Sequence, residues 1–326
     1  FFVHSVYPYC FSVYYMPAWL NLMTLIYMGT LFLVLTAVLF SASYVNQNKM
    51  MTLQNAQSSN VIPFLFGIMW SLLTACGWWI TIIIQGDWTF IPMDILFAAI
   101  GGITAGACNL CYVMSLYHGP LSLSSVTLGL GPIVPVVLAG IFLGQLPTGI
   151  QFVGLGLTIV VMIIVNMGPV DKRPTLKWFL LAFGAFAMYG LQLFTFNMHY
   201  AYVENPNNAQ FMGMLYIFCA LTFAVGFFVM KNKTRDDAAE TELLSKLNYK
   251  LIFLFAVIQA ATNGIANALY VKAAADIPAV VLYPTVETGS MLLTSLVAFI
   301  FFKEKLTKQG VIALILGMAA VALLNI

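Results

Sequence analysis

Long apolar runs separated by short polar connections make up most of the chain. Each run is about 20 residues or longer, which is the length that an α-helix needs to cross the hydrocarbon core of a bilayer. The runs are apolar on all sides and do not alternate in the manner of barrel strands, so they predict helices. The pattern therefore predicts an all-α integral membrane protein with ten transmembrane helices, at residues 20–45, 61–85, 93–117, 120–144, 148–168, 176–200, 209–230, 250–271, 277–302 and 307–326.

The composition agrees with a membrane environment. Of 326 residues, 62% are hydrophobic and 7% are charged, whereas a soluble protein carries about 25% charged residues. A soluble globular enzyme is therefore excluded, and a net charge of +2 gives no indication of a nucleic-acid partner. Residues 231–250 form the most highly charged connection and predict a solvated loop with a short helix. The aromatic residues 1–19 predict an interfacial segment, because Tyr and Trp favour the headgroup level.

A nine-residue pattern, T-x-G-x-x-N-x-x-Y, occurs twice at a separation of 158 residues. Two further matches, Asn-Ala-Gln at 55–57 and 208–210 and IFLGQLPT (141–148) with IFFKEKLT (300–307), occur in the same order. The chain is therefore predicted to be two five-helix halves, 20–168 and 169–326. Because five is odd, the second half would enter the membrane in the opposite sense, as an inverted repeat. The repeated residues are Thr104, Gly106, Asn109 and Tyr112, and Thr262, Gly264, Asn267 and Tyr270.

Residues 112–154 and 270–317 each contain a tyrosine, a small-residue helix, a central proline, an aliphatic run and a Gly-rich last helix. In this they resemble the ends of the two halves in the drug/metabolite transporter superfamily, in particular its ten-helix EamA-type members. The acidic position of that pattern is Gln145 in the first half and Glu304 in the second, and Lys303 replaces the usual Gly. The resemblance covers about residues 20–326. It implies carrier-type transport, commonly export of amino acids, amines or other small metabolites, without fixing the substrate.

Glu287 is the one ionisable residue near the middle of a predicted span. It shares a helix face with Tyr283 and Ser290, and Pro284 frees a backbone carbonyl in the preceding turn. A carboxyl in the membrane interior should face a cavity or a partner. One hypothesis is a site for a cation or a coupling proton, because burial favours the uncharged carboxyl. The alternative is a carboxyl that is packed against neighbouring helices and stays protonated.

Other polar residues within spans are candidates to line a transport cavity. They lie in the third, sixth and eighth spans, and the alternative for each is a hydrogen bond between helices. His199 is close to a helix end and is expected to be interfacial. Trp78 and Trp79 could hold an amine by cation–π attraction or pack against lipid. The cavity candidates are Thr104, Asn109, Tyr112, Tyr189, Gln192, Asn263, Asn267 and Tyr270.

The sequence gives no indication of catalysis. It has no G-x-x-x-x-G-K-[ST] motif for ATP and no H-E-x-x-H motif for zinc. We therefore expect no enzyme activity, no cofactor and no metal. The expected partners are a small-molecule substrate, a coupling proton and the lipid of a cell membrane, with the protein a monomer or homodimer.

Lysine and arginine are distributed unevenly between the predicted connections. The odd-numbered connections carry twelve of them and the even-numbered ones carry only Lys272. The positive-inside rule then places the odd connections in the cytoplasm and both termini outside. The family resemblance implies both termini inside, so the two arguments conflict.

The leading hypothesis is a secondary carrier for a small polar metabolite, such as an amino acid or amine. Two inverted halves would rock around a midplane cavity lined by the first, third, fourth, sixth, eighth and ninth spans. A proton-coupled multidrug or cation efflux carrier is the alternative within the same class. A membrane-embedded enzyme or a scaffold that transports nothing is the alternative outside it.

Overall fold

The computed structural model describes residues 18–54, 61–86, 91–118, 127–166, 175–235, 237–301 and 308–326, together with Ser59, Trp88 and Ser124. The first Asn-Ala-Gln match and all but the last two residues of the predicted interfacial segment lie outside these ranges. Within them, every regular element is a helix. The helices are α1 (Ala18–Leu53), α2 (Ile62–Gln85), α3 (Pro92–His118), α4 (Ile133–Leu143), α5 (Gly149–Asn166), α6 (Leu176–Tyr202), α7 (Asn208–Lys233), α8 (Ala238–Ser245), α9 (Tyr249–Asp276), α10 (Ala279–Phe301) and α11 (Lys308–Leu324).

Local signals account for several helix ends. Thr175 and Asn207 cap α6 and α7 by accepting hydrogen bonds from the backbone N–H groups of Trp178 and Gln210, at 3.1 and 3.0 Å. Asn248 caps α9 in the same way. Gly86 ends α2 at a φ of 69°, a conformation that glycine adopts without steric cost.

The predicted fourth span, 120–144, is interrupted where it is described. Residues 127–129 are helical, residues 130–132 form a turn, and α4 begins at Ile133. Pro132 has no N–H to continue a helical ladder and restricts the residue before it, so the helix is broken there. The break at Pro132 is therefore a complete turn, whereas Pro135 lies in the first turn of α4, where proline is tolerated.

Five of the described helices are long and apolar enough to cross a membrane: α2, α3 (over Pro92–Ser115), α6, α7 and α9. Large apolar side chains such as Ile84, Leu180 and Phe228 are exposed on the outside of the bundle, where lipid would cover them. The helices identify an integral, multi-pass membrane protein. The count of ten spans and the inverted orientation of the halves remain predictions.

The two predicted halves are packed against each other through several helix pairs. In the largest contacts α3 packs against α6 and α7, α2 against α7, α1 against α9 and α10, and α5 against α11. The α1–α9 pair is the counterpart of the α6–α3 pair, which is the correspondence expected if the halves are repeats. Helices α3 and α7 are in close contact at Gly102, where an added Cβ would lie 2.3 Å from the carbonyl oxygen of Leu215.

The charged connection contains the short helix that the sequence predicts. Asp237 caps α8 by accepting from the N–H of Ala239 at 3.0 Å. Glu240 in α8 is buried and accepts a hydrogen bond from Ser59, in the connection between α1 and α2. The connection is thus attached to the same end of the bundle at which α1 ends.

Candidate functional site

A cavity of about 400 Å³ lies between the helices of the two halves. Its lining residues come from the C-terminal half of α1, the N-terminal half of α2 and the middle of α6, α9 and α10, with contributions from α3, α7 and residues 128–129. They are concentrated towards the end of the bundle where α1 ends and α2 begins, which we call the odd-connection end. They include Phe40, Tyr44, Gln47, Phe66, Trp70, Asn109, Tyr112, Tyr189, Gln192, Phe223, Gln259, Asn263, Asn267 and Glu287.

Glu287 is the only carboxylate among the described residues of the cavity wall. It lies about one third of the way along α10 and is partly buried. The phenol of Tyr189 on α6 donates a hydrogen bond of 2.5 Å to its Oε1. Tyr44 on α1 is a second hydrogen-bonding partner. Two neutral donors from different halves therefore orient this carboxyl without neutralising its charge.

A row of amide side chains connects α1 to α9 beside the cavity. The Asn46 amide donates to Gln259 Oε1 at 2.9 Å, and the Gln259 amide donates to Ser43 Oγ at 2.6 Å. Further along α9, the Asn267 amide donates to Asn263 Oδ1 at 2.7 Å. These bonds satisfy the polar groups inside the bundle and fix the orientation of the amides that reach the cavity.

The structure brings seven of the eleven candidate residues to the cavity and places four behind its wall. Thr104 donates to the carbonyl of Ile100 in its own helix at 2.7 Å, and Ser290 donates to Val286 at 2.7 Å. Tyr270 and Tyr283 are fully buried. The seven residues at the cavity are Glu287, Asn263, Asn267, Asn109, Tyr112, Tyr189 and Gln192.

Tyr270 and Tyr283 belong to an aromatic cluster at the other end of the cavity. Its members are Phe40, Phe196, Phe211, Tyr270 and Tyr283, all 6% exposed or less. Tyr270 makes edge-to-face contacts with Phe40 and Phe196, at centroid distances of 5.5 and 6.0 Å, and packs against Tyr283 at 5.4 Å. This cluster separates the cavity from the ends of the helices that carry the even-numbered connections.

Hydrogen bonds within the second half, and one between the two halves, reinforce this closed end. The Tyr283 hydroxyl on α10 bonds to the carbonyl of Leu193 on α6 at 2.8 Å and to the Asn197 side chain. Gln145, at the acidic position of the family pattern, accepts from the N–H of Ala279 at the start of α10 at 3.0 Å. The closed end is therefore held by packing and by directional bonds.

A polar cluster joins the start of α3 to the α6–α7 connection. Asp94 Oδ1 lies 2.8 Å from His199 Nδ1, and both side chains are 0% exposed. His199 Nε2 is 2.8 Å from Asn208 Oδ1, and Asp94 Oδ2 accepts from the N–H of Asn207 at 3.0 Å. The α3 start and the Phe211 ring cover His199, which does not line the cavity, and its expected position at the membrane interface remains a prediction.

Several cavity residues were not predicted from the sequence. Gln47 was missed because the predicted first span ends at residue 45, whereas α1 continues to Leu53. Tyr44 lies within that predicted span but was not named as a candidate. The second and seventh spans also line the cavity, through residues such as Trp70 and Phe223. Trp78 lies instead in a separate groove between α2 and α9. The cluster of Ser, Tyr, Asn and Gln at 41–47 is the signal that could have identified α1 as a polar wall.

The described residues contain no group of three or more His, Cys, Asp or Glu side chains that could hold a metal ion. Residues 27–167 match the model of the EamA-like transporter family. A solved structure described only as the crystal structure of a protein matches with a TM-score of 0.67 and 14% identity, over 91% of this chain and 96% of its own. At that identity the likeness concerns the fold alone. No curated protein matches the chain.

Proposed function

We propose that the protein is a secondary carrier for a small polar metabolite, an amine or amino acid. Residues 27–167 match the EamA-like transporter family, which implies a membrane transporter of the drug/metabolite type. The observation that carries the proposal is Glu287, which projects into a cavity between the two halves and bonds to Tyr189. An intramembrane carboxyl facing a cavity is typical of a substrate or proton site.

The carrier would work by alternating access. The cavity extends towards the odd-connection end, and the aromatic cluster closes the opposite end. Rocking of the halves would break the hydrogen bond between Gln145 and Ala279, which joins them, and bring the open ends together. Inverted repeats suit this exchange, because each half can adopt the conformation that the other has left.

Proton coupling follows from the single carboxyl. A bare carboxylate is costly in the membrane interior, so Glu287 would cross the membrane neutralised by a proton or by a cationic substrate. Glu287 would thus be either protonated or bound to substrate, and this alternation would couple the flux of protons to the flux of substrate. The substrate gradient or the proton gradient would supply the energy, in agreement with the absence of an ATP-binding motif.

Glu287→Gln tests the proposal in proteoliposomes. The amide keeps the shape and the hydrogen bond from Tyr189 but cannot exchange a proton. We expect flux driven by a pH gradient to fall at least about 100-fold, with thermal stability close to wild type. Glu204→Gln, the same change at an exposed residue outside the cavity, should transport normally. Equal pH-dependent flux in the two variants would remove Glu287 from the mechanism.

A broad cation carrier is the second candidate, favoured by the aromatic part of the wall. Phe66, Trp70 and Phe223 present rings to the cavity, and such rings attract hydrophobic cations. Inhibition of transport by many unrelated hydrophobic cations would support this candidate. Inhibition by close analogues of one metabolite only would support the narrow carrier.

A further inference from the structure

The charge and hydrogen-bonding groups of the cavity wall point to a narrower substrate class. We infer that the cavity takes an organic amine in its ammonium form, without a neighbouring carboxylate, and exchanges it for one proton on Glu287. The inference rests on the proposed carrier function and chooses between the two substrate classes named there.

The charge of the wall is the first argument. Among the described residues that line the cavity, Glu287 is the only Asp or Glu, and none is Lys, Arg or His. Lys272, the single basic residue of the even connections, lies over the ring of Phe32 and not in this wall. An ammonium group thus has a partner in the cavity. The carboxylate of an amino acid would have no basic partner among these residues.

The backbone N–H groups described at the break in the fourth predicted span provide no anion site either. The break at residues 130–132 exposes a helix start near the cavity, which in other transporters can bind a carboxylate. Here the N–H groups of Gly131, Ile133 and Val134 donate to Leu128, Leu130 and Gly131 at 2.9–3.0 Å. The Tyr189 ring lies directly against Gly131, since an added Cβ would be 2.4 Å from it.

Neutral polar side chains of the cavity wall can bind the part of the amine that lies beyond its ammonium group. The side-chain amides of Gln47 and Gln192 line the cavity and make no hydrogen bond to the described residues. Asn109 uses its NH₂ group on the carbonyl of Ala105 at 3.4 Å, which leaves its oxygen available. These groups can recognise a hydroxyl or amide, while Trp70 and Phe66 can cover hydrocarbon.

Charge balance at Glu287 sets the exchange at one proton for one ammonium ion. A protonated Glu287 that binds an ammonium ion must release its proton, because one carboxylate neutralises one charge. Binding of one amine therefore releases one proton to the solution. A zwitterionic amino acid would bring an unpaired carboxylate into the same space, at a substantial cost.

Matched pairs of ligands test the inference on the purified protein. Tyramine and tyrosine, tryptamine and tryptophan, and isoamylamine and leucine differ within each pair only by the α-carboxylate. We expect at least one amine, at millimolar concentration in a weakly buffered solution near pH 7, to stabilise the wild type against heat and to release about one proton per molecule bound. Its amino acid should bind at least about tenfold more weakly. Glu287→Gln should lose the proton release and Glu204→Gln should keep it.

The other outcomes separate the inference from the proposed function. Tighter binding of an amino acid than of its amine would overturn the inference and leave a carrier in place. Amine binding without proton release would overturn the exchange at Glu287. If no pair stabilises the wild type and Glu287→Gln transports like Glu204→Gln, both the inference and the proposed role of the cavity fail. The comparison of ligands on the wild type remains decisive even if Glu287→Gln does not fold.

Discussion

Helices α3 and α9 carry the same nine-residue pattern in different surroundings. In α3, Asn109 is exposed to the cavity and Tyr112 lines it. In α9, Asn267 reaches the cavity, but Tyr270 is fully buried in the aromatic cluster. The first tyrosine of the repeat therefore lies in the open end of the molecule and the second in the closed end.

Helix α3 is also packed more tightly against its neighbours than α9 is. Helix α3 is in extensive contact with both α6 and α7, whereas α9 is in extensive contact with α1 and in much smaller contact with α2. Equivalent sequences thus occupy a tight and a loose position in one structure. In an alternating-access carrier the two positions would exchange, so the difference describes a conformational state as well as a sequence.

The largest loss of stability should come from substitution of Asp94, near the start of α3. Asp94→Ala removes the partner of buried His199 and the acceptor for Asn207 N–H, and should lower the free energy of unfolding by about 3 kcal/mol. At the equivalent position of α9 lies Ile252, which is buried among apolar residues, and Ile252→Val should cost only about 1 kcal/mol. Unfolding in detergent measures both. Equal losses would show that the polar cluster does not anchor α3.

A smaller loss of stability should follow from substitution of the glycine of the nine-residue pattern, which is Gly106 in α3 and Gly264 in α9. A Cβ on Gly106 would lie 2.4 Å from Thr222 Cβ, whereas one on Gly264 would lie 2.8 Å from Thr74 Cγ2, at the end of a side chain. Gly106→Ala should therefore lower the free energy of unfolding by about 1–3 kcal/mol, and Gly264→Ala by less. The midpoint of thermal unfolding is the readout. A greater loss from Gly264→Ala would contradict the assignment of α3 as the tightly packed member.

The sequence predicts the helices well and the surroundings of each residue less well. Apolar length located the helices, and the face containing Glu287 and the amides of α9 led to the cavity. The sequence could not distinguish Tyr112 from Tyr270, because the same pattern surrounds both. It also could not predict the Asp94–His199 pair, since the partners are far apart in the chain and meet only through tertiary packing.

Labelling of the two repeated tyrosine positions tests the central claim most directly. Cysteine would be placed at Tyr112 or Tyr270 in a background without native cysteines, and a membrane-impermeant maleimide added from either side of proteoliposomes. A second cysteine in the exposed part of α8 identifies the odd-connection side. A carrier in the described state predicts that position 112 reacts from the odd-connection side only and that position 270 reacts from neither side. Equal reaction at both positions, or reaction of position 270 from the even-connection side, would contradict a cavity that is open at one end and closed by the aromatic cluster at the other.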